Sequence, residues 1–315
     1  MIDTLMTRMK ESYEMRTRTY LPRRTYTIIR LDGCSFSNYT KNLERPYDKA
    51  LIEDMNETAR YLCSKIQGAR FAYVQSDEIS ILLTDFDKTT TSAWFDSEVQ
   101  KIISVSAAMA TAKFNHLRAL RMFNKQDIDV GDVIFGELPK QKLAYFDSRA
   151  FTIPDPIEVA NYFIARQKDC TRNSITMAAQ SVYSHSELEG KSSNEKQEML
   201  FQKGINWNDY PTRYKRGGFI TRVGHEMVMT ELMGIVPIET VTDENDQASI
   251  QKLRDDKKTF VRQDWECVEL PEFTKDTSFL YSRIPVIANE IISLEEMLAG
   301  TSNNSEEIYD GDHMA

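Results

Sequence analysis

Two carboxylates stand out by type and by setting. Asp32 closes a β-type run in "TYTIIRLDGCSFS", and Asp77 sits between two short β-type runs in "AYVQSDEISILL". An Asp-Gly pair alone is a common turn. A second carboxylate at a neighbouring hairpin changes that reading. Two converging carboxylates form a hard, oxygen-rich site that suits Mg²⁺. Two such ions close together can clamp a nucleoside triphosphate and activate an attacking oxygen. Gly33 lacks a Cβ, so its carbonyl can approach a metal and the peptide N–H groups after it can face phosphates. Glu78 follows Asp77 directly. In extended chain, adjacent side chains point to opposite faces, so Asp77 is expected as the ligand and Glu78 as a supporting carboxylate of the same catalytic group.

The elements that must bring these residues together follow from periodicity. A loose stripe of Leu5, Met9, Tyr13 and Met15 predicts a first helix. The strand ending at Asp32 comes next. Leu51, Ile52, Met55, Ala59, Leu62 and Ile66 recur at three and four, which is helical, and Gly68 ends the run. Phe71–Gln75 and Ile79–Thr84 read as a hairpin turning at Ser76-Asp77-Glu78. A helix from about Phe95 to Leu120 and a strand in "LAYFDSRAFTI" complete the order strand, helix, strand, strand, helix, strand. That is the α+β, ferredoxin-like split βαβ arrangement. It places Asp32 and Asp77 on one sheet edge and leaves the sheet face opposite the helices open. A long helix is expected after Pro156, a shorter one in "NEKQEMLFQKG", then a loop leading into a strand at "RGGFITRV". The organisation reads as a palm over 1–150, a helical and basic part over 151–235, and an extension over 236–315 with a possible helix in "IPVIANEIISLEEMLAG" and an acidic tail.

Composition limits the alternatives. The chain has 315 residues and a net charge of −9. RNA contact must therefore use local patches rather than bulk charge. Arg16 to Arg24, the group Arg166, Lys168 and Arg172, and the trio Arg213, Lys215 and Arg216 are candidates. The four cysteines form no CxxC pair, and the four histidines are scattered, which argues against zinc and against a disulfide scaffold. No signal-like start and no spanning apolar run is present, so a cytoplasmic setting is expected.

"RLDGCSFSNYTK…RPYDKAL", "AYVQSDEISILL", "FDSRAF", "ARQKDCTRNSI", "NEKQEMLF" and "RYKRGG" resemble, in order, the tRNA(His) guanylyltransferase superfamily over residues 1 to about 225. The resemblance implies a reverse-direction, 3′-to-5′ nucleotidyltransferase with a polymerase-like palm, assembled as a homotetramer. It implies two Mg²⁺ ions at Asp32, Asp77 and the Gly33 carbonyl, with ATP and GTP as substrates. Asp32, Gly33, Cys34, Ser35, Phe36, Ser37, Ser76 and Asp77 would line the nucleotide site. Arg45, Lys196 and Asn206 fall in matching segments and are candidate phosphate contacts, and Arg213, Lys215 and Arg216 would hold triphosphate or RNA backbone. One motif departs. Eukaryotic tRNA(His)-specific members carry His-Ile-Asn-Asn after Asp-Cys, whereas Asp169-Cys170 is followed here by Thr171-Arg172-Asn173-Ser174. The departure points to the related group that refills truncated tRNA 5′ ends by template pairing. The alternatives are a strict tRNA(His) guanylyltransferase, a nucleotide cyclase, and a non-catalytic RNA-binding module reading bases with Phe71 and Tyr73.

Overall fold

The computed structural model describes residues 4–125, 142–230, 234–238, 251–252, 254 and 259–286. The helix expected near residue 290 and the acidic tail lie outside the described residues.

The chain opens with α1 (Leu5–Met9), which continues as a π turn over Lys10–Glu14 and a 3₁₀ turn over Met15–Thr17. None of its residues is buried, so the expected stripe lies on the surface. After it come β1 (Tyr26–Gly33), the single turn α2 (Phe36–Tyr39) and α3 (Lys49–Lys65). Asp48 caps α3, its carboxylate accepting from the Leu51 amide at 2.7 Å, as a short side-chain acceptor before a helix should. The hairpin β2 (Ala69–Gln75) and β3 (Glu78–Leu83) follows, then α4 (Val99–Lys125) and β4 (Phe146–Ile153).

These four strands lie in the order β4-β1-β3-β2, all neighbours antiparallel. The split βαβ core expected from the periodicity is therefore present. Ile29, Leu31, Ala72, Val74, Ile79 and Ile81 face α3 and α4, whose Met55, Leu62, Ile102 and Phe114 close that side.

The other face is not open. The helix α5 (Pro156–Gln180) crosses it, with Pro156 in the first turn and Asp155 as cap. Short helices α6 (His185–Leu188), α7 (Ser193–Gln202) and α8 (Thr212–Arg216) lead to β5 (Gly218–Thr230). β5 pairs with β2 on the core sheet, and β6 (Gly234–Pro237) and β7 (Thr259–Val268) both pair with β5. The segment after β7 turns back through α9 (Ser278–Tyr281). Its Leu270, Phe273, Leu280 and Ile284 join Tyr26, Ile28, Phe71, Tyr73, Val159, Phe163 and Phe219 in a second core.

One expectation is corrected. Phe71 and Tyr73 are fully buried, because both faces of the sheet are covered. Beyond residue 235, β7 takes ten consecutive partners on β5. Gln167 of α5 fixes the returning segment, donating to the Pro271 carbonyl at 2.9 Å and accepting from the Phe273 amide at 2.7 Å.

Candidate active site

The site begins with strand parity. On β1, Tyr26 and Ile28 face α5 while Ile29 and Leu31 face α3 and α4. Asp32 therefore continues the row that faces α5. The β1–β3 register ends at Leu31↔Ile79, and Gln75 pairs with Glu78 across the hairpin. Ser76 and Asp77 form the tip, and Ser76 takes a left-handed φ of 49° to make the tight turn. Continuing the register brings the tip beside the end of β1.

Asp32 and Asp77 consequently line one cavity of about 490 Å³, together with Arg166, Asp169 and Asn173 of α5. A second cavity of about 430 Å³ shares Ser76 and Asp77 with the first and extends over Ser37, Thr40, Glu44 and Arg45. Asp77 stands between the two chambers. Its carboxyl is held above the usual carboxylate range, mainly by burial, with the charges of Asp32 and Glu78 adding to it. Among the described residues neither Asp32 nor Asp77 has a basic partner. The donor chemistry fits a divalent cation, which would relieve both the burial of charge and the repulsion. Among the described residues no group of three or more His, Cys, Asp or Glu side chains converges on a metal position, so such an ion would rest on two carboxylates with backbone and nucleotide oxygens.

Glu78 is committed elsewhere. Its two oxygens accept from Arg166 Nε at 2.9 Å and Nη2 at 2.6 Å, and Oε1 also accepts from Gln75 and Ser80, each at 3.2 Å. Arg166 Nη2 also donates to Asp169 at 3.2 Å, and Asp169 holds Arg172 as well. This chain of charges ties the hairpin to α5. That geometry gives Glu78 a bracing part between the hairpin and α5.

The turn after Asp32 differs in detail from the expectation. A Cβ on Gly33 would sit 2.3 Å from the Phe36 ring, so the glycine is required by packing. The Cys34 amide already donates to the Tyr145 carbonyl at 2.8 Å, so it does not face phosphate. Ser35 is left-handed, at φ 52°, and its carbonyl accepts from Asn38 and Tyr39. Phe36 is buried against Phe114 and Phe146. Ser37 reaches the second chamber, and Arg45 is exposed on its rim.

The downstream candidates are each engaged by other groups of the protein. Lys196 donates to Thr176 Oγ1 at 3.1 Å, and Thr176 lines the first cavity. Asn206 caps a 3₁₀ turn through the Asn208 amide. Arg213 donates to the Cys267 carbonyl at 3.2 Å, and Arg216 pairs with Glu272 at 3.2 Å. Lys215 is buried, donates to the Asn208 carbonyl at 2.5 Å and lies 5.6 Å from the Trp207 ring. Arg213 and Arg216 thus brace α8 against β7 and the segment after it, and Lys215 ties it to the turn at Trp207 and Asn208.

Sequence reasoning missed the α5 wall. Asp169, Asn173, Met177 and Gln180 recur at helical spacing along it, and that spacing was legible. Tyr47 was also missed. Its hydroxyl donates to the Ser174 carbonyl at 2.8 Å, Trp207 Nε1 donates to Ser174 Oγ at 2.9 Å, and burial pushes the Tyr47 phenol up to about 12.

Comparisons with known proteins agree with this architecture. The family described as tRNAHis guanylyltransferase matches residues 6–154, and its C-terminal companion, described as Thg1 C terminal domain, matches residues 157–269. A bacterial tRNA(His) guanylyltransferase-like protein solved in complex with ATP is 37% identical, with a TM-score of 0.68 over 90% of this chain and 100% of that one. A second, in complex with GTP, is 35% identical with a TM-score of 0.65 and the same coverage. The tRNA(His) guanylyltransferase of Schizosaccharomyces pombe is 30% identical over 212 residues, which is 63% of this chain and 74% of that one.

Proposed function

The chain belongs to the tRNA(His) guanylyltransferase superfamily, a family of nucleotidyltransferases, and from that membership we propose that it adds nucleotides to the recessed 5′ end of tRNA by template-directed, 3′-to-5′ transfer. The observation that carries the reading is the pair Asp32 and Asp77. Both are oxygen donors without a basic partner among the described residues, and both line the cavity at the edge of the palm-like sheet, with Asp77 lining the second chamber too.

In this reading Asp32 and Asp77, with the Gly33 carbonyl, hold Mg²⁺. Magnesium there would neutralise triphosphate charge and favour ionisation of the attacking hydroxyl. The protein's own part is positioning. Asp77 faces both chambers, so the RNA end and a nucleotide can meet across it. Ser37, Ser76 and Arg45 are placed to receive phosphates of ATP or GTP, the ligands of the two bacterial relatives. Arg166, bonded twice by Glu78, keeps a cation on the wall of the same cavity. An oxygen of the RNA 5′ phosphate first attacks the α-phosphorus of a nucleoside triphosphate, and the bond to pyrophosphate breaks as the activated end forms. The 3′ hydroxyl of the incoming nucleotide then attacks that phosphate, and the activating nucleotide, or pyrophosphate from a triphosphate end, leaves.

Template-directed repair is preferred over addition of a single G to tRNA(His) because the His-Ile-Asn-Asn motif is replaced here by Thr171, Arg172, Asn173 and Ser174. Retention of Asp169-Cys170 and Asn173 is what favours the second reading. A non-catalytic base-reading module has no support, since Phe71 and Tyr73 are inside the protein. Homotetramer formation and a cytoplasmic location are part of the same proposal. Among the described residues no helix is long and apolar enough to cross a membrane.

Incubation of a 5′-truncated, 5′-labelled tRNA with ATP and all four nucleotides tests the reading. Bases that follow the opposite strand are expected. A single G on full-length tRNA(His), with no extension of truncated tRNA, would replace repair by the stricter activity.

A further inference from the structure

At the end of the sheet away from the carboxylates, a group of cations lies outside the proposed reaction. Arg222 of β5 pairs in register with Trp265 of β7, and its guanidinium lies 5.0 Å from the indole ring. It is exposed, and no carboxylate partners it among the described residues. It lies close enough to Arg70 of β2 to add to the burial that lowers that guanidinium's pKa, and close enough to α3 to act on buried Cys63. On α3, Tyr61 is flanked by Lys65 at 6.0 Å and by Lys113 of α4 at 5.6 Å from its ring. Arg60 completes the group.

The local charge is strongly positive. Arg60, Lys65, Arg70, Lys113 and Arg222 face two carboxylates: Glu57, 2.6 Å from Arg60 and 3.6 Å from Lys113, and Asp87, paired with Arg70. Asp264 at the margin is engaged by Arg262 at 3.0 Å. In a chain of net charge −9, clustered cations are electrostatically costly unless an anionic partner meets them. The two rings add a second feature. A guanidinium stacked on an indole is held flat and keeps its outward N–H groups free, a geometry that suits phosphate oxygens.

The location fits a long partner. Gly218 pairs with Val74 near the hairpin that carries Asp77. Arg222 lies four residues further along β5, about 13 Å at strand rise. A base-paired stem whose 5′ end sits in the cleft would pass this distance within a few base pairs.

We propose that Arg222, Arg70 and Lys65, with Trp265 and Tyr61, form a docking surface for the phosphate backbone of the base-paired RNA stem that leads into the active site. This rests on the tRNA reading above. Contacts of this kind set register and affinity and carry no base sequence. The surface would thus serve many tRNAs alike, as repair of truncated ends needs.

Arg222→Gln and Lys65→Gln, singly and together, test the surface in the full-length protein, because both side chains are exposed. Arg70 is left intact, since it donates to Thr84 Oγ1 at 2.5 Å and braces the end of β3. Binding of a 5′-truncated tRNA would be measured by fluorescence anisotropy between 50 and 200 mM KCl. The double variant should bind about tenfold more weakly near 100 mM salt, and its slope of log affinity against log salt should be shallower by about 1 to 2. The KM for the RNA should rise by a similar factor, with kcat, the KM for ATP and the melting temperature unchanged. Wild-type affinity and slope in the double variant would overturn the proposal. An equal loss of kcat and of thermal stability would overturn it too, by assigning these residues to the fold. Failure of the catalytic reading looks different: wild type would bind the tRNA with a steep salt slope yet extend no 5′ end.

Discussion

The two walls of the cleft treat charge in opposite ways. On the sheet edge, Asp32 and Asp77 approach each other with no basic partner among the described residues, and burial raises the Asp77 carboxyl. Across from them, at the hairpin–α5 seam, four charges answer one another. Glu78 takes two bonds from Arg166, Arg166 also meets Asp169, and Asp169 meets Arg172. Asp77 and Glu78 are adjacent in sequence, so composition cannot explain their different fates. Their places in the hairpin do. Asp77 sits in the turn at the tip and lines the cleft, whereas Glu78 begins β3 and meets Arg166 in the seam under α5. The answered carboxylate holds the hairpin to α5, and the unanswered pair is what the proposed cation would meet.

That contrast breaks most sharply by neutralising the first wall. Asp32→Asn or Asp77→Asn should lower nucleotide addition by about 10³-fold or more, the loss expected when several kcal/mol of metal-ion stabilisation go. Folding, followed by circular dichroism, should persist. Activity within tenfold of wild type in either variant would remove the metal assignment.

The second wall should respond the other way round. Glu78→Gln leaves Arg166 part-buried with its main counterion gone. Breaking such a pair from one side costs about 3 kcal/mol, seen as a lower urea midpoint at unchanged m. Arg166→Met with Glu78→Gln should recover part of that loss, because no unpaired charge remains. If Glu78→Gln folds as stably as wild type yet is inactive, Glu78 belongs with the first wall.

How much of this was legible differs between the same two walls. Asp32 and Asp77 were readable because each ends a β-type run, and the split βαβ order forces those ends together. The three- and four-residue spacing of Leu51, Met55, Ala59 and Leu62 gave α3 directly. The α5 wall was harder. Asp169, Asn173 and Gln180 on a helix read as a solvated stripe, and only the tertiary fold turns that stripe inward. Phe71 and Tyr73 misled for a related reason. A strand covered on both faces is apolar throughout, so alternation cannot say which side is free. β7 escaped notice because "TFVRQDWECV" alternates weakly and its partner lies about forty residues earlier on β5. Arg213 and Arg216 were read by charge, and what they meet, the Cys267 carbonyl and Glu272, comes from that same returning segment.

The smallest effect is the most direct measure of the contrast. Because burial, Asp32 and Glu78 hold the Asp77 carboxyl above its ordinary range, the folded chain binds that proton more tightly than the unfolded chain. This contribution is complete below the unfolded pKa and is lost as pH rises through the folded value. At neutral pH the ionised group therefore costs stability in the metal-free protein. Asp77→Asn removes the charge and keeps the shape. It should melt slightly above wild type at about pH 7 to 8, by a few degrees at most, since ~1 kcal/mol moves a chain of this size by roughly 2–4 °C. As pH falls through the folded and then the unfolded value, the wild-type carboxyl becomes neutral in both states, and the two melting curves should converge. Magnesium with GTP should raise the wild-type curve and leave Asp77→Asn nearly unmoved, because a ligand stabilises only the form that binds it. A variant that melts below wild type at pH 8, or a gap that widens in acid, would mean that Asp77 is already answered by a partner and that the two walls do not differ in kind.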